Sequence, residues 1–149
     1  MIQLILFTSL IFSPTDTLTI SKKISDRKFS FTPKLFHHPQ RVLFNSRAFD
    51  LEVFSDFPRD SVESLSLFYM TDAVPRYREI PFDPQEKRFS YRYDPRNNPA
   101  NYITYFFTIS LINGELYGTP VDSVGRLNPI TKYLLDPIEY YKKRASFRN

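Results

Sequence analysis

Between residues 102 and 112 the chain places Ile103, Tyr105, Phe107, Ile109 and Leu111 at every second position, with Thr104, Thr108 and Ser110 between them. A helix, at 3.6 residues per turn, would scatter these groups around its axis; a strand gathers them on one face. The same period governs residues 47–54, where Phe49, Leu51 and Val53 oppose Asp50 and Glu52. It recurs in residues 62–70, where Leu65, Leu67 and Tyr69 oppose Ser64 and Ser66, and in residues 88–93, where Phe89, Tyr91 and Tyr93 oppose Ser90 and Arg92. Each segment predicts a strand with one buried face, the signature of an antiparallel sheet.

The intervals carry turn chemistry. Residues 56–60, 71–76, 83–86 and 94–101 each contain proline, and Pro84 follows Asp83 at the turn position where its fixed φ is an advantage. Asn113-Gly114 predicts a two-residue hairpin with positive φ at both positions, leading to a last strand near residues 115–121. The chain holds 12 Pro and 25 aromatic residues against only 3 Gly, which favours short strands joined by proline-marked turns. Near the end, Asp136, Pro137 and Glu139 stand as helix cap, first helical residue and capping-box partner, and Lys142, Lys143 and Arg144 suit the negative end of the dipole. A short helix is predicted over residues 137–144.

The 149 residues suffice for one core. Residues 1–15 are predicted to be a signal peptide: the run Met-Ile-Gln-Leu-Ile-Leu-Phe-Thr-Ser-Leu-Ile-Phe has the length of an export signal's apolar region and is too short to span a bilayer. Residues 16–41 read as a basic linker with an edge strand, residues 42–122 as the β domain, and residues 123–149 as an extension with the short helix and a basic tail. Absence of cysteine excludes disulfides, thiolate metal sites and a cysteine nucleophile.

The net charge of +4 is uneven. Residues 16–41 and 132–149 are basic, and the centre between them is acidic. A basic patch on a folded face would suggest nucleic acid; base confined to the flanks does not. The flanks read either as solvated segments or as peripheral contacts with an anionic membrane or polymer surface.

Catalytic chemistry is scarce. His37 and His38 lack further ligands at metal-binding spacing and read as a solvent-exposed loop pair. Three glycines leave no phosphate-cradling loop, and no Gly-x-Ser-x-Gly elbow supports a serine nucleophile. The carboxylates scatter over turns and outward strand positions. The reading is non-enzymatic, with no catalytic residue, no metal and no cofactor.

Four strand patterns together resemble a known family: Phe49-Asp50-Leu51-Glu52-Val53; Val62-Glu63-Ser64-Leu65-Ser66-Leu67-Phe68-Tyr69; Tyr77-Arg78-Glu79-Ile80-Pro81; and Ile103-Thr104-Tyr105-Phe106-Phe107-Thr108-Ile109 with its Asn113-Gly114 turn. Over residues 42–122 the chain resembles the fibronectin type III-like and immunoglobulin-like modules of bacterial envelope and secreted proteins. The resemblance implies an all-β antiparallel sandwich with a short C-terminal helix. It also implies an extracytoplasmic location, whether periplasmic, cell-surface or secreted. The inter-sheet cysteine pair and core tryptophan of antibody domains are missing, which favours the fibronectin-like form. Tyr102 or Tyr105 is the candidate for a tyrosine corner.

In that arrangement residues 62–70 and 102–112 form neighbouring strands. Phe68, Met70, Tyr102 and Phe106 then point away from the core as an apolar outer patch. Such a patch marks an interface or a sugar-stacking platform, unless the chain's own helix covers it through Ile138, Tyr140 or Tyr141. Two functions follow: a structural or protein-interaction module binding an envelope protein, or a carbohydrate-binding module binding a polysaccharide through surface aromatics.

Overall fold

The computed structural model describes residues 35–86 and 88–147. The signal-peptide reading and most of the basic linker fall on residues 1–34, outside that description. Nine strands, one α-helix and a single 3-10 turn at Arg59–Ser61 are formed among the described residues: β1 (Leu35–Phe36), β2 (Leu43–Phe44), β3 (Phe49–Ser55), β4 (Val62–Thr71), β5 (Arg78–Phe82), β6 (Phe89–Tyr93), β7 (Tyr102–Leu111), β8 (Leu116–Thr119), β9 (Ile130–Leu135) and α1 (Pro137–Ser146). The protein is mostly β, as the alternation predicts.

Strands β1, β3 and β6 form one antiparallel sheet in that order. The second sheet runs β2-β9-β7-β4-β5, with β8 also paired to β7. Strand β7 is its centre. One edge holds β4 from Ile103 to Leu111; the other is divided between β9, opposite Tyr102–Tyr105, and β8, opposite Phe107–Ser110. All pairs are antiparallel except β2 with β9.

Register decides which side chains are buried. Leu65 lies opposite Ile109, Leu67 opposite Phe107, and Tyr69 opposite Tyr105, so the three apolar pairs share one face. With Phe49, Leu51, Val53, Phe89 and Tyr93 of the other sheet they form a single apolar cluster. Val53, Leu65, Leu67, Ile103, Phe107 and Ile109 are fully excluded from solvent. Full burial of one such side chain contributes roughly 1.5–3 kcal/mol, so this cluster dominates the stability of the fold. Asp50 and Glu52, on the opposite face of β3, pair with Arg92 and Arg88.

Several local readings are corrected. The β7–β8 hairpin has a three-residue loop, not two. Gly114 N–H donates to Leu111 C=O at 2.8 Å, and Leu111 N–H to Glu115 C=O at 2.9 Å. Only Gly114, at φ 86°, is left-handed; Asn113 keeps negative φ, and its side-chain oxygen accepts from Glu115 N–H. This is a type I turn closed by a glycine bulge. Strands β1 and β9 lie outside residues 42–122 yet hydrogen-bond to strands within. Tyr105 makes no tyrosine corner, because its hydroxyl is held by His37; the phenol bonded to backbone is Tyr93, which donates to Asn98 C=O at 2.7 Å. The helix starts as predicted: Asp136 Oδ1 accepts from Ile138 and Glu139 N–H, and Pro137 occupies the first turn.

Candidate interaction site

Phe68, Met70, Tyr102 and Phe106 lie on one face of the second sheet, away from the apolar cluster, and each is half-buried. Phe68 and Phe106 occupy directly paired positions, and their rings stack at 5.1 Å with planes 9° apart. Tyr77, just before β5, sets its ring edge-on to Phe106 at 5.2 Å. Met70 lies opposite Thr104. At the far end Tyr102 meets Tyr133 of β9 at 6.0 Å, and Thr104 shares a hydrogen bond with Thr131. The outer face therefore carries two aromatic groups separated by methionine and threonine, not one continuous patch.

Tyr77 and Tyr133 are functional candidates that sequence reasoning passes over. Tyr77 sits inside the Tyr77–Pro81 pattern, so its position beside β4 was the available signal. Tyr133 belongs to a strand with no clear alternation.

The helix packs elsewhere. Tyr140 and Tyr141 approach the Phe44 ring at 5.5 and 5.9 Å, and the Arg47 guanidinium lies 5.1 Å from the same ring. Ile138 is exposed. The ring contacts of α1 thus anchor it at the end of β2 rather than on Phe68 and Phe106. A concave surface of about 530 Å³ runs beside it, lined by Leu135, Tyr140, Lys143, Arg144 and Phe147 among others.

His37 departs from the loop-pair reading. His38 is exposed, but the His37 imidazole enters the space between β3 and β7. Its Nδ1–H donates to Glu52 C=O at 2.6 Å, which leaves Nε2 to accept from the Tyr105 hydroxyl at 2.9 Å. The Tyr105 and Phe107 rings flank it at 5.3 and 5.0 Å. Burial lowers the His37 pKa below its usual 6.5; the bond to Glu52 opposes this, and the charges of His38 and Lys132 add to it. Burial raises the Tyr105 phenol well above its ordinary range. Among the described residues no cluster of three or more histidine, cysteine or acidic side chains is placed to hold a metal.

A second concavity opens at the seam between the sheets, where the β4–β5 turn faces the 94–101 loop. It is about 220 Å³, and its lining includes Tyr69, Arg76, Arg78, Tyr93, Asn97 and Asn98. The Tyr69 and Tyr91 hydroxyls are 3.2 Å apart. Tyr91 is pushed up to about 12 by burial and by Tyr69, and Tyr93 is raised chiefly by burial; the Arg78 charge opposes both shifts. The Tyr91 and Tyr93 phenols stay neutral hydrogen-bonding groups. Asp72 is held by Asn101 and Tyr102, whose N–H groups keep its carboxyl below the usual range.

No family model matches the chain, and no curated protein matches it.

Proposed function

We propose that the protein is a non-enzymatic protein-interaction module of immunoglobulin or fibronectin type III shape, carried by an exported bacterial envelope protein. The carrying observation is the strand order. Read as strands A, B and E, β1-β3-β6 has the neighbours of the first immunoglobulin sheet; read as C′, C, F and G, β5-β4-β7-β8 has those of the second. The apolar side chains shared by the two sheets support a packed sandwich. Fold of this type leaves function to the surfaces. The outer face of β4 and β7, with Phe68, Phe106, Tyr77 and Met70, is the assigned binding face.

The stacking geometry favours a protein partner over a polysaccharide. Sugar rings sit on flat, uncovered aromatic faces, whereas Phe68 and Phe106 stack on one another and Tyr77 abuts Phe106 edge-on. The full chain should pass over insoluble polysaccharides and peptidoglycan without retention. A photo-reactive phenylalanine analogue at Phe68 should trap an envelope protein, and the adduct should drop several-fold in Phe106→Ala. Retention on one polymer, released by its soluble sugar and lost in Phe106→Ala, would overturn this in favour of a carbohydrate-binding module.

A further inference from the structure

The two sheets are joined unequally along the seam between β5 and β6. At one end Phe82 and Phe89 close it with a ring contact at 5.9 Å. At the other the rings of Tyr69 and Tyr93 meet, and the cleft beside them stays open to Arg76 and Arg78. Four arginines are matched, Arg88 with Glu52, Arg92 with Asp50, Arg96 with Asp94, and Arg126 with Asp122, whereas Arg41, Arg47, Arg59 and Arg144 form no ion pair among the described residues and stand apart from this cleft. Neither Arg76 nor Arg78 forms an ion pair among the described residues. The acids nearest the cleft in sequence are committed: Asp72 to Asn101, Glu79 to Ser66 and Asp94 to Arg96. Two guanidiniums, two phenols and two carboxamides thus line a cleft short of negative charge, an arrangement that suits a carboxylate.

The strands beside the cleft decide what carries that carboxylate. Both β5 and β6 pair on one side only among the described residues. Pro81 lacks an N–H and blunts the β5 edge, whereas β6 is Phe-Ser-Tyr-Arg-Tyr and contains no proline. Tyr69 and Tyr93 are buried, so the cleft offers no flat ring face for stacking a sugar. We propose that β6 accepts an extended acidic peptide as an added strand, and that a glutamate or aspartate side chain of this peptide enters the cleft between Arg76 and Arg78.

This deepens the protein-interaction reading and rests on it. The test is titration of the full chain into a short fluorescein-labelled peptide alternating valine and glutamate, followed by anisotropy. The peptide should bind and weaken with salt. Its glutamine counterpart should bind about tenfold more weakly or worse, as should the glutamate peptide to the Arg76→Gln/Arg78→Gln protein. Both arginines are exposed, so unfolding is not expected; were the variant to misfold, the two peptides on the native chain decide alone. Equal binding of both peptides, no binding at all, undiminished binding to a folded double variant, or binding of an oligouronate in place of peptide would overturn the assignment. If the peptide fails while the probe at Phe68 traps a protein, the cleft assignment falls alone; if both fail, the interaction reading falls with it.

Discussion

At the scale of single residues, His37 and Tyr105 solve each other's burial problem. The Tyr105 side chain is 1% exposed, and a phenol excluded from water needs a partner. The neutral imidazole supplies an acceptor at Nε2 and spends its Nδ1 proton on Glu52 C=O. Protonation makes both ring nitrogens donors and strands the Tyr105 proton beside them. Above pH 6.5 the imidazole is neutral folded and unfolded, and the brace contributes fully. As pH falls below 6.5 the unfolded chain takes the proton first, and stability declines until pH passes the lowered folded-state value. The nearby charges, on Lys132 and on His38 once protonated, act in the same direction. His37→Ala should therefore cost about 1–3 kcal/mol above pH 6.5 and flatten the acid-side slope, measured by urea unfolding across pH. His38→Ala, at an exposed position, should leave both stability and slope largely intact. The partners stand 68 positions apart, which is why the histidine pair reads in sequence as mere loop.

Elements were legible where their cause is local. Strands β3, β4, β6 and β7 follow from period-two alternation, because each turns one full face to the common core. The outward orientation of Phe68, Met70, Tyr102 and Phe106 follows from the same period. Elements set by tertiary context were not legible. Strand β2 is two residues long, and β9 puts Lys132 on the face it shares with Ile130 and Leu134; β5, which contains Pro81, is legible only through the family pattern of residues 77–81. The loop after β7 is one residue longer than Asn113-Gly114 predicts, because that pair suits two turn geometries and the Leu111–Glu115 pairing selects the longer one. The helix lies at the legible extreme, since its cap is encoded within four residues. Asp136→Ala removes the acceptor of two N–H groups and should cost the helix about 1 kcal/mol. Amide exchange over residues 138–146 should then quicken several-fold while β4 and β7 keep their protection. Equal acceleration in the sheets would mean that α1 unfolds with the core.

For the folded unit as a whole, the ends of the described chain close what the middle cannot. Residues 35–44 contribute β1 to one sheet and β2 to the other, with His37 between them. Strand β9 then lies between β2 and β7, so a segment read in sequence as an extension supplies a sheet partner to both. Leu134 is 6% exposed and belongs to the core, and its N–H donates to Asn101 C=O at 2.8 Å. Cutting the chain after Asn128 would remove β9 and α1 together. Leu43 and Phe44 would lose their neighbours, and the first half of β7 would become an open edge beside Tyr102 and Tyr105. Loss of Leu134 alone is worth roughly 2–5 kcal/mol by the usual cost of deleting a buried leucine, comparable to the whole stability of a marginal domain. The chain ending at Asn128 should show a broad, early unfolding transition and bind a hydrophobic dye. A chain ending at Asp136, which keeps β9 and drops only α1, should retain a sharp transition with a smaller loss. Should the shorter chain unfold as sharply and as late as the longer one, the core would end with β8, and the coupling of both chain ends to β7 would be dispensable.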